Sequence, residues 1–303
     1  LEAMQYLTEK IINRQNDDRI RVQVDIEGYL KNRKNNLKQL ALASHNFQDT
    51  YGRLPPGYLS HPDAWVFSWD YQHTSLLAFL MPFMEQNTIY EEIDMDLGVA
   101  DDISMFDVDN PTGSTTSLPW WGRSGSWNTA HNKLGSMLCP SATIDDATSG
   151  HGCVLVTYND TTIGIGHWGV PGYPDLGFTN YLGCAGGLGK TRDAGWSRYE
   201  GVFTNRSKND FGAILDGTSN TFAFGEVIGG KPEVIFRYTW IGCGAMPTAW
   251  GLGEDTSSWT QFDSLHPGVV QFAMADGSVT PISRDMDHNA YIYLSGMRDG
   301  KTN

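Results

Sequence analysis

The stretch SLHPGVVQFAMADGSVTPI, residues 264–282, holds a histidine and an aspartate, two residue types that transfer protons and bind metals. His266 lies ten residues before Asp276. If the chain between them is extended, a rise of about 3.3 Å per residue separates the two side chains by roughly 30 Å. The spacing therefore predicts that they form neither a catalytic dyad nor one metal site. Structural roles are favoured, and the alternative for His266 is a contact with another subunit or a ligand.

The Asp276-Gly277 dipeptide between two apolar runs predicts a hairpin, because a type I′ turn requires positive φ at both central residues. A two-residue loop would pair Met274 with Val279. Phe272, Met274 and Val279 would then share one face of the sheet. Pro281 cannot donate to the ladder, so the second strand is expected at the sheet edge.

The segment DGTSNT, residues 216–221, has the composition of a turn into a strand. Side-chain oxygens of this kind bond neighbouring backbone N–H groups, so Asp216 and Gly217 are predicted to be structural. A nucleophilic role for Ser219 would require a base and an oxyanion hole, and no Gly-x-Ser-x-Gly motif surrounds it.

Two oxygen-rich clusters begin like a calcium loop. One contains Asp107 and Asp109, and the other contains Asp285, Asp287 and Asn289. Neither has the sixth-position glycine and twelfth-position glutamate of an EF-hand. Solvated loops are favoured, with calcium as the alternative, and no other cofactor is predicted.

Four cysteines, Cys139, Cys153, Cys184 and Cys243, form no CxxC motif, so the sequence does not favour a zinc site. An even count permits two disulfides in three pairings, which would suit an exported protein. Four buried thiols would fit the same count equally well.

The ten tryptophans fall mostly in loop-like segments. Exposed indoles stack on sugars or mediate subunit contacts, whereas buried indoles anchor long loops. Burial is favoured, and glycan binding is the alternative.

The composition of the whole chain indicates a globular protein. Its 303 residues are 40% hydrophobic and 18% charged, with a net charge of −14. The first 40 residues carry +2 and the remainder −16. This charge argues against a general nucleic-acid binder, because phosphate backbones are bound by basic patches. No apolar run approaches the roughly 20 residues that span a bilayer.

Hydrophobic periodicity indicates the elements that must position these residues. Residues 19–27 alternate as in a half-buried strand that ends at Gly28, and a helix is predicted over residues 30–50. A second helix, interrupted by Pro82, is predicted over residues 74–93. Residues 94–135 are predicted to form a long loop, and short antiparallel strands follow from about Leu138.

Six of these stretches, in this order, resemble a bacterial family of pilin-like proteins with a C-terminal His-x9-Asp-Gly signature and a type IV prepilin-type N-terminus. The resemblance covers about residues 35–303. The stretches are NNLKQLALASHNFQDTYGRLPPG (35–57), TSLLAFLMPFMEQNTIYEEI (74–93), LCPSA (138–142), TNYLGCAGG (179–187), DGTSNTFAFGEV (216–227) and HPGVVQFAMADGSV (266–279).

The resemblance implies an α+β fold, in which an N-terminal helix packs on a mainly antiparallel β-sheet with long loops. It also implies export to the cell surface, and it supplies no catalytic residues. We therefore predict a non-enzymatic structural protein, extracellular or at the cell surface, that assembles into filaments or layers. Its expected partners are copies of itself or other surface proteins. The alternative is a surface module that binds a solute or carbohydrate.

Residues 1–34 depart from the pilin-like pattern, since no hydrophobic prepilin helix precedes NNLKQ. LEAMQYL followed by VQVDIEGY resembles the C-terminal half of a Jag-type KH domain. The Gly-x-x-Gly loop that grips RNA in KH domains is not in this sequence, so RNA binding is not carried over. Two domains are predicted, 1–34 and 35–303. An RNA-associated protein is the third hypothesis, which the acidic remainder disfavours.

Overall fold

The computed structural model describes residues 26–60, 72–93, 119–139, 150–159, 162–170, 176–231, 234–253, 259–266 and 268–301, with side chains at all of these except 26–33, 150–170 and 230–235. The helices are α1 (Ile26–Tyr51), α2 (Leu76–Leu80), α3 (Asn87–Glu91), α4 (Ser124–Thr129) and α5 (His288–Ser295). The strands are β1 (Tyr58–Leu59), β2 (Thr74–Ser75), β3 (Gly150–Asn159), β4 (Thr162–Val170), β5 (Phe178–Thr179), β6 (Tyr181–Gly186), β7 (Phe222–Glu226), β8 (Gly230–Lys231), β9 (Val234–Thr239), β10 (Ala245–Pro247), β11 (Val269–Met274) and β12 (Val279–Ser283).

Helix α1 is the long N-terminal helix that the sequence predicts. Leu37, Leu40, Ala41 and Phe47 recur at helical spacing and are at most 2% exposed. The helix begins at Ile26, so the predicted strand over residues 19–27 is wrong at its last two residues. The predicted domain boundary at 34/35 lies within α1, and residues 1–25 lie outside the described residues. The KH-like segment therefore stays a prediction.

The predicted helix over residues 74–93 is present as two short helices, α2 and α3. Its first two residues form β2, α2 follows, and Met81–Met84 tighten into a 3-10 turn with Pro82 near its start. Proline has no N–H to donate and tightens or breaks a helix, so the interruption falls where the sequence predicts it. All five residues of α2 are buried.

The main sheet has the strand order β10-β6-β7-β11-β12. β10 runs parallel to β6, and the other neighbours are antiparallel. Helix α1 packs on β7, β11 and β12. Helix α5 packs on β6 and β7, where its Tyr291 ring contacts Phe222 and Phe272. Strand β12 lies at the sheet edge, where its proline is tolerated.

The β11–β12 hairpin differs from its prediction by one residue. Ala273, not Met274, lies opposite Val279, and the Met274 N–H donates to Ser278 O at 2.8 Å. The loop thus holds three residues, with Gly277 at φ +86° in the left-handed position of such loops. Since a one-residue shift moves every side chain to the other face, Val279 does not share a face with Phe272.

A second sheet has the order β4-β3-β9-β5, with β8 added to β9. β3 and β9 are parallel, and the other pairs are antiparallel. β1 and β2 form a separate two-stranded sheet. Within the predicted loop 94–135, the described part contains α4 and a 3-10 turn at Trp120–Gly122, so that prediction is wrong there.

The architecture confirms an α+β fold in which an N-terminal helix packs on mainly antiparallel sheet. Among the described residues, no helix has both the length and the hydrophobicity that a membrane crossing requires.

Candidate functional site

Cys139, Glu226 and His266 come together at one edge of the core. Each offers one donor atom, and the three atoms lie within 4.8 Å of one another. Cys139 Sγ is 3.8 Å from His266 Nε2. Cys139 and Glu226 are buried and His266 is half-buried, so the cluster reaches the surface on its histidine side.

A buried amide fixes the position of Cys139. Asn180 Oδ1 accepts the Cys139 N–H at 2.9 Å, and Asn180 Nδ2 donates to Val227 O at 3.1 Å. The Asn180 backbone bonds the same two segments, donating to Met137 O at 2.8 Å and accepting from the Val227 N–H at 2.8 Å. Asn180 therefore joins the cysteine segment to the chain that follows β7.

Glu226 is the last residue of β7 and only 2% exposed. Its Oε2 accepts the Gln271 N–H of β11 at 2.9 Å, and its backbone carbonyl accepts the Asp263 N–H at 2.9 Å. Burial of a carboxylate is costly unless it is hydrogen-bonded, paired or bound to a metal. The strand end thus fixes this carboxylate beside the thiol and the imidazole.

His266 is held by a short polar loop. Its N–H donates to Ser264 Oγ at 3.2 Å, and Asp263 Oδ1 accepts the Ser264 N–H at 2.7 Å. Arg284, the residue after β12, forms an ion pair with Asp263 at 2.5 Å and donates a hydrogen bond to Ser264 O at 2.5 Å. Asp263 is 2% exposed, so this ion pair is largely removed from water.

These contacts bring the thiol, the carboxylate and the imidazole together around one point. Thiolate, carboxylate and imidazole are all metal ligands, so the cluster can hold a metal ion. The cavity between α1 and the sheet is of another kind. It measures about 10 Å³, room for roughly one water molecule, and is lined mainly by apolar side chains.

A family model described as "Protein of unknown function (DUF1559)" matches residues 33–289, which is most of the chain. The chain belongs to the DUF1559 family. Comparison with curated proteins gave no significant match, and neither did comparison with solved structures.

Several stretches that carry the pilin-like resemblance meet at the cluster of this DUF1559 protein. Cys139 comes from LCPSA, Glu226 from DGTSNTFAFGEV and His266 from HPGVVQFAMADGSV, while Asn180 lies in TNYLGCAGG. Distant segments of the chain thus supply the cluster and its support.

Asp276 and Gly277 lie at the opposite end of β11 from His266 and form the hairpin turn. Asp276 Oδ1 accepts the Ser278 N–H at 2.8 Å, and the Asp276 N–H donates to Thr218 O at 3.0 Å. Backbone bonds therefore account for the aspartate of the His-x9-Asp-Gly signature.

The Asp216 carboxylate binds backbone N–H groups of the segment that follows α5. Its two carboxylate oxygens accept the Asp299 N–H at 2.7 Å and the Gly300 N–H at 2.9 Å. Gly217 follows with φ +96°, a conformation that favours glycine. These contacts place DGTSNT at a structural junction.

Among the predicted calcium ligands, Asp287 caps α5. Its Oδ1 accepts the N–H groups of Asn289 and Ala290 at 3.0 and 3.1 Å. Asp285 and Asn289 are exposed. Asp107 and Asp109 lie outside the described residues, so calcium there stays a prediction.

The sequence permits either two disulfides or buried thiols at the four cysteines. Cys139, Cys184 and Cys243 are buried and form no disulfide, so the disulfide alternative is wrong for these three, and the side chain of Cys153 lies outside the described ones. Burial raises the pKa of both Cys184 and Cys243 to about 12. Because the thiolate is the reactive form, these two cysteines are packing residues that resist oxidation.

Glu226 is the member of the cluster that sequence reasoning missed. The signal present in the sequence is a single carboxylate that ends the apolar run FAFG, where a core residue would be expected. The sequence permits a disulfide or a buried thiol at Cys139 and favours a structural role for His266, with a contact to another subunit or a ligand as the alternative. Neither interpretation links the three residues.

Proposed function

We propose that this DUF1559 protein is a non-enzymatic, pilin-like structural protein, extracellular or at the cell surface, that assembles with copies of itself or with other surface proteins. The observation that carries the proposal is helix α1. At about 1.5 Å per residue its 26 residues extend over roughly 39 Å, and it packs on three strands of the main sheet.

The outer face of α1 supports a role in assembly. Leu42 is 60% exposed, whereas Leu40, Ala41 and Ala43 beside it are buried. Its neighbours Lys38 and Gln39 are exposed and polar. A leucine held outward on a rigid helix provides an apolar contact for a neighbouring subunit.

One further observation supports a location at the surface. The buried thiols Cys184 and Cys243, with pKa values raised to about 12, would survive in an oxidising compartment without forming disulfides.

Antibody labelling of intact cells that express the native gene tests the proposal. We expect labelling without permeabilisation, and labelled filaments or sheets in negative-stain electron microscopy. Leu42→Lys should reduce the assemblies and leave the thermal unfolding temperature unchanged, and Gln39→Lys is the matched control on the same exposed face. Labelling only after permeabilisation would contradict the surface location, and equal assembly by both variants would contradict the role of α1.

A surface binding module is the second candidate, favoured by Trp250. This indole is 41% exposed, whereas Trp120 and Trp240 are fully buried. An exposed indole is a stacking surface for a sugar ring. A thermal shift with a glycan panel, present in the native protein and lost in Trp250→Ala, would favour this candidate over the first.

A further inference from the structure

We propose that Cys139, Glu226 and His266 bind one zinc ion, which ties the cysteine segment and the His266 loop to the end of β7. The proposal does not depend on the surface function above. It rests on the distances, the burial and the donor chemistry of the three side chains.

The separation of the donor atoms fits a shared ion. Zinc lies about 2.3 Å from sulfur and about 2.05 Å from nitrogen, so tetrahedral geometry places these two ligands about 3.6 Å apart. Cys139 Sγ and His266 Nε2 are 3.8 Å apart. The carboxylate oxygen of Glu226 completes a triangle with no side above 4.8 Å. Sulfur and nitrogen would approach each other by about 0.2 Å, and the Glu226 side chain would move by at most about 1.4 Å, for all three to contact one ion.

The same distances disfavour a nucleophilic relay. In a Cys-His-acid relay the thiol and the carboxylate bond opposite nitrogens of the imidazole, which places sulfur and oxygen about 6–7 Å apart. In the cluster no two of the three donor atoms exceed 4.8 Å. The carboxylate thus lies on the same side of the imidazole ring as the thiol. In this position it can bind the same metal ion as the thiol, but it cannot orient the imidazole toward the thiol.

Charge balance selects a divalent cation. Cys139 as thiolate and Glu226 as carboxylate carry two negative charges, and both residues are buried. With neutral His266, a divalent ion makes the site neutral, so neither charge is left uncompensated.

The donor types select zinc over calcium or magnesium. Calcium takes six to eight oxygen ligands and magnesium prefers an oxygen octahedron, whereas sulfur and nitrogen donors suit zinc. Three protein ligands leave a fourth position for water on the half-buried histidine side. The surrounding hydrogen bonds, from Asn180 to the Cys139 N–H and from the Gln271 N–H to Glu226, fix the ligands before the ion binds.

Metal titration of the purified full chain tests the site. After chelator treatment, we expect it to bind one zinc ion in competition with a colorimetric chelator. Cobalt in place of zinc should give the charge-transfer absorption of a cobalt–thiolate bond. Cys139→Ser, Glu226→Gln and His266→Gln should each weaken zinc binding more than about 100-fold, since even outer-shell partners contribute 10–100-fold. His288→Gln, the same change at an exposed histidine of α5, is the matched control.

Three results would overturn the proposal. They are less than stoichiometric zinc on the unmodified chain, a cobalt complex without the thiolate absorption, and zinc binding that His266→Gln and His288→Gln weaken equally. The first two use the unmodified chain, so the conclusion does not depend on whether a variant folds. Circular dichroism of each variant separates loss of a ligand from loss of the fold.

Discussion

The two ends of strand β11 carry the two conspicuous residues of the C-terminal signature, and their surroundings differ. At the Asp276 end, the carboxylate accepts a backbone N–H of its own turn and is exposed. At the His266 end, the imidazole lies beside a buried thiol and a buried carboxylate, and buried Asp263 pairs with half-buried Arg284 next to them. One end makes a turn, and the other assembles polar side chains from distant segments.

This difference shows that residue type alone does not identify a functional position. Histidine and aspartate are equally able to transfer protons or bind metals. What separates them is whether polar side chains or only backbone groups bond to them.

The largest effect is expected at the His266 end. Asp263→Ala leaves Arg284, whose side chain is 19% exposed, without its carboxylate, and should cost about 3–5 kcal/mol in the free energy of unfolding. Asp276→Ala at the other end removes one exposed hydrogen bond and should cost about 0.5–1.5 kcal/mol. Urea denaturation of both variants measures the contrast. Equal losses would show that the two ends do not differ energetically.

Zinc should stabilise one end of the strand. At a free concentration 100 times its Kd, an ion that binds only the folded chain adds about 2.7 kcal/mol to the free energy of unfolding. We expect this gain in the native protein and in Asp276→Ala, and no gain in His266→Gln. A differential scanning calorimetry series with zinc and with chelator measures it. A similar gain in all three proteins would place the ion elsewhere.

The turn end depends on backbone conformation. Gly277 has φ +86°, so Gly277→Ala should cost about 1–2 kcal/mol, because a β-carbon clashes in the left-handed region. Gly135→Ala is the control, since its added methyl group meets open space and its φ is not positive. Chemical denaturation should show a loss only for Gly277→Ala, with zinc affinity unchanged in both variants. Loss of zinc binding in Gly277→Ala would instead couple the two ends.

The smallest effect concerns pH, in the segment that Asp216 binds next to the turn end. Burial raises the pKa of Asp299 to about 6, and the negative charge of Asp216 adds to the shift, while the Lys301 N–H and Arg198 oppose it. A carboxyl group whose pKa is higher in the folded state binds its proton more tightly there. Its contribution to stability is therefore present at low pH and is lost as the pH rises from about 4 to about 6.

Asp299→Asn should remove this part of the pH dependence. Unfolding measured between pH 4 and pH 7 should show a shallower fall in stability for the variant than for the native protein. Arg192→Gln, a charge change at an exposed residue outside this contact, should leave the slope unchanged. An unchanged slope in Asp299→Asn would assign the pH dependence to other groups.

Much of the fold could be predicted from local patterns. The apolar spacing of Leu37, Leu40 and Phe47 indicated α1, and Pro82 indicated the break that follows α2. The hairpin register was wrong by one residue, because the Asp-Gly signal does not distinguish a two-residue loop from a three-residue loop. The strand predicted over residues 19–27 failed at Ile26, where the helix has already begun.

The candidate site could not be predicted in the same way. The cysteine count permits a disulfide or a buried thiol at Cys139, and the carboxylate that ends the run FAFG does not indicate which residues lie beside it. The cluster depends on partners that are far away along the chain.

The long helix and the Asp276-Gly277 turn follow from residues that are close together in the chain, and the α+β class follows from the ordered motifs of the family resemblance. The meeting of Cys139, Glu226 and His266 is evident only in the folded chain. The pairing of β7 with β11 and the bonds of Asn180 bring three segments to one point, and no local propensity specifies those long-range contacts.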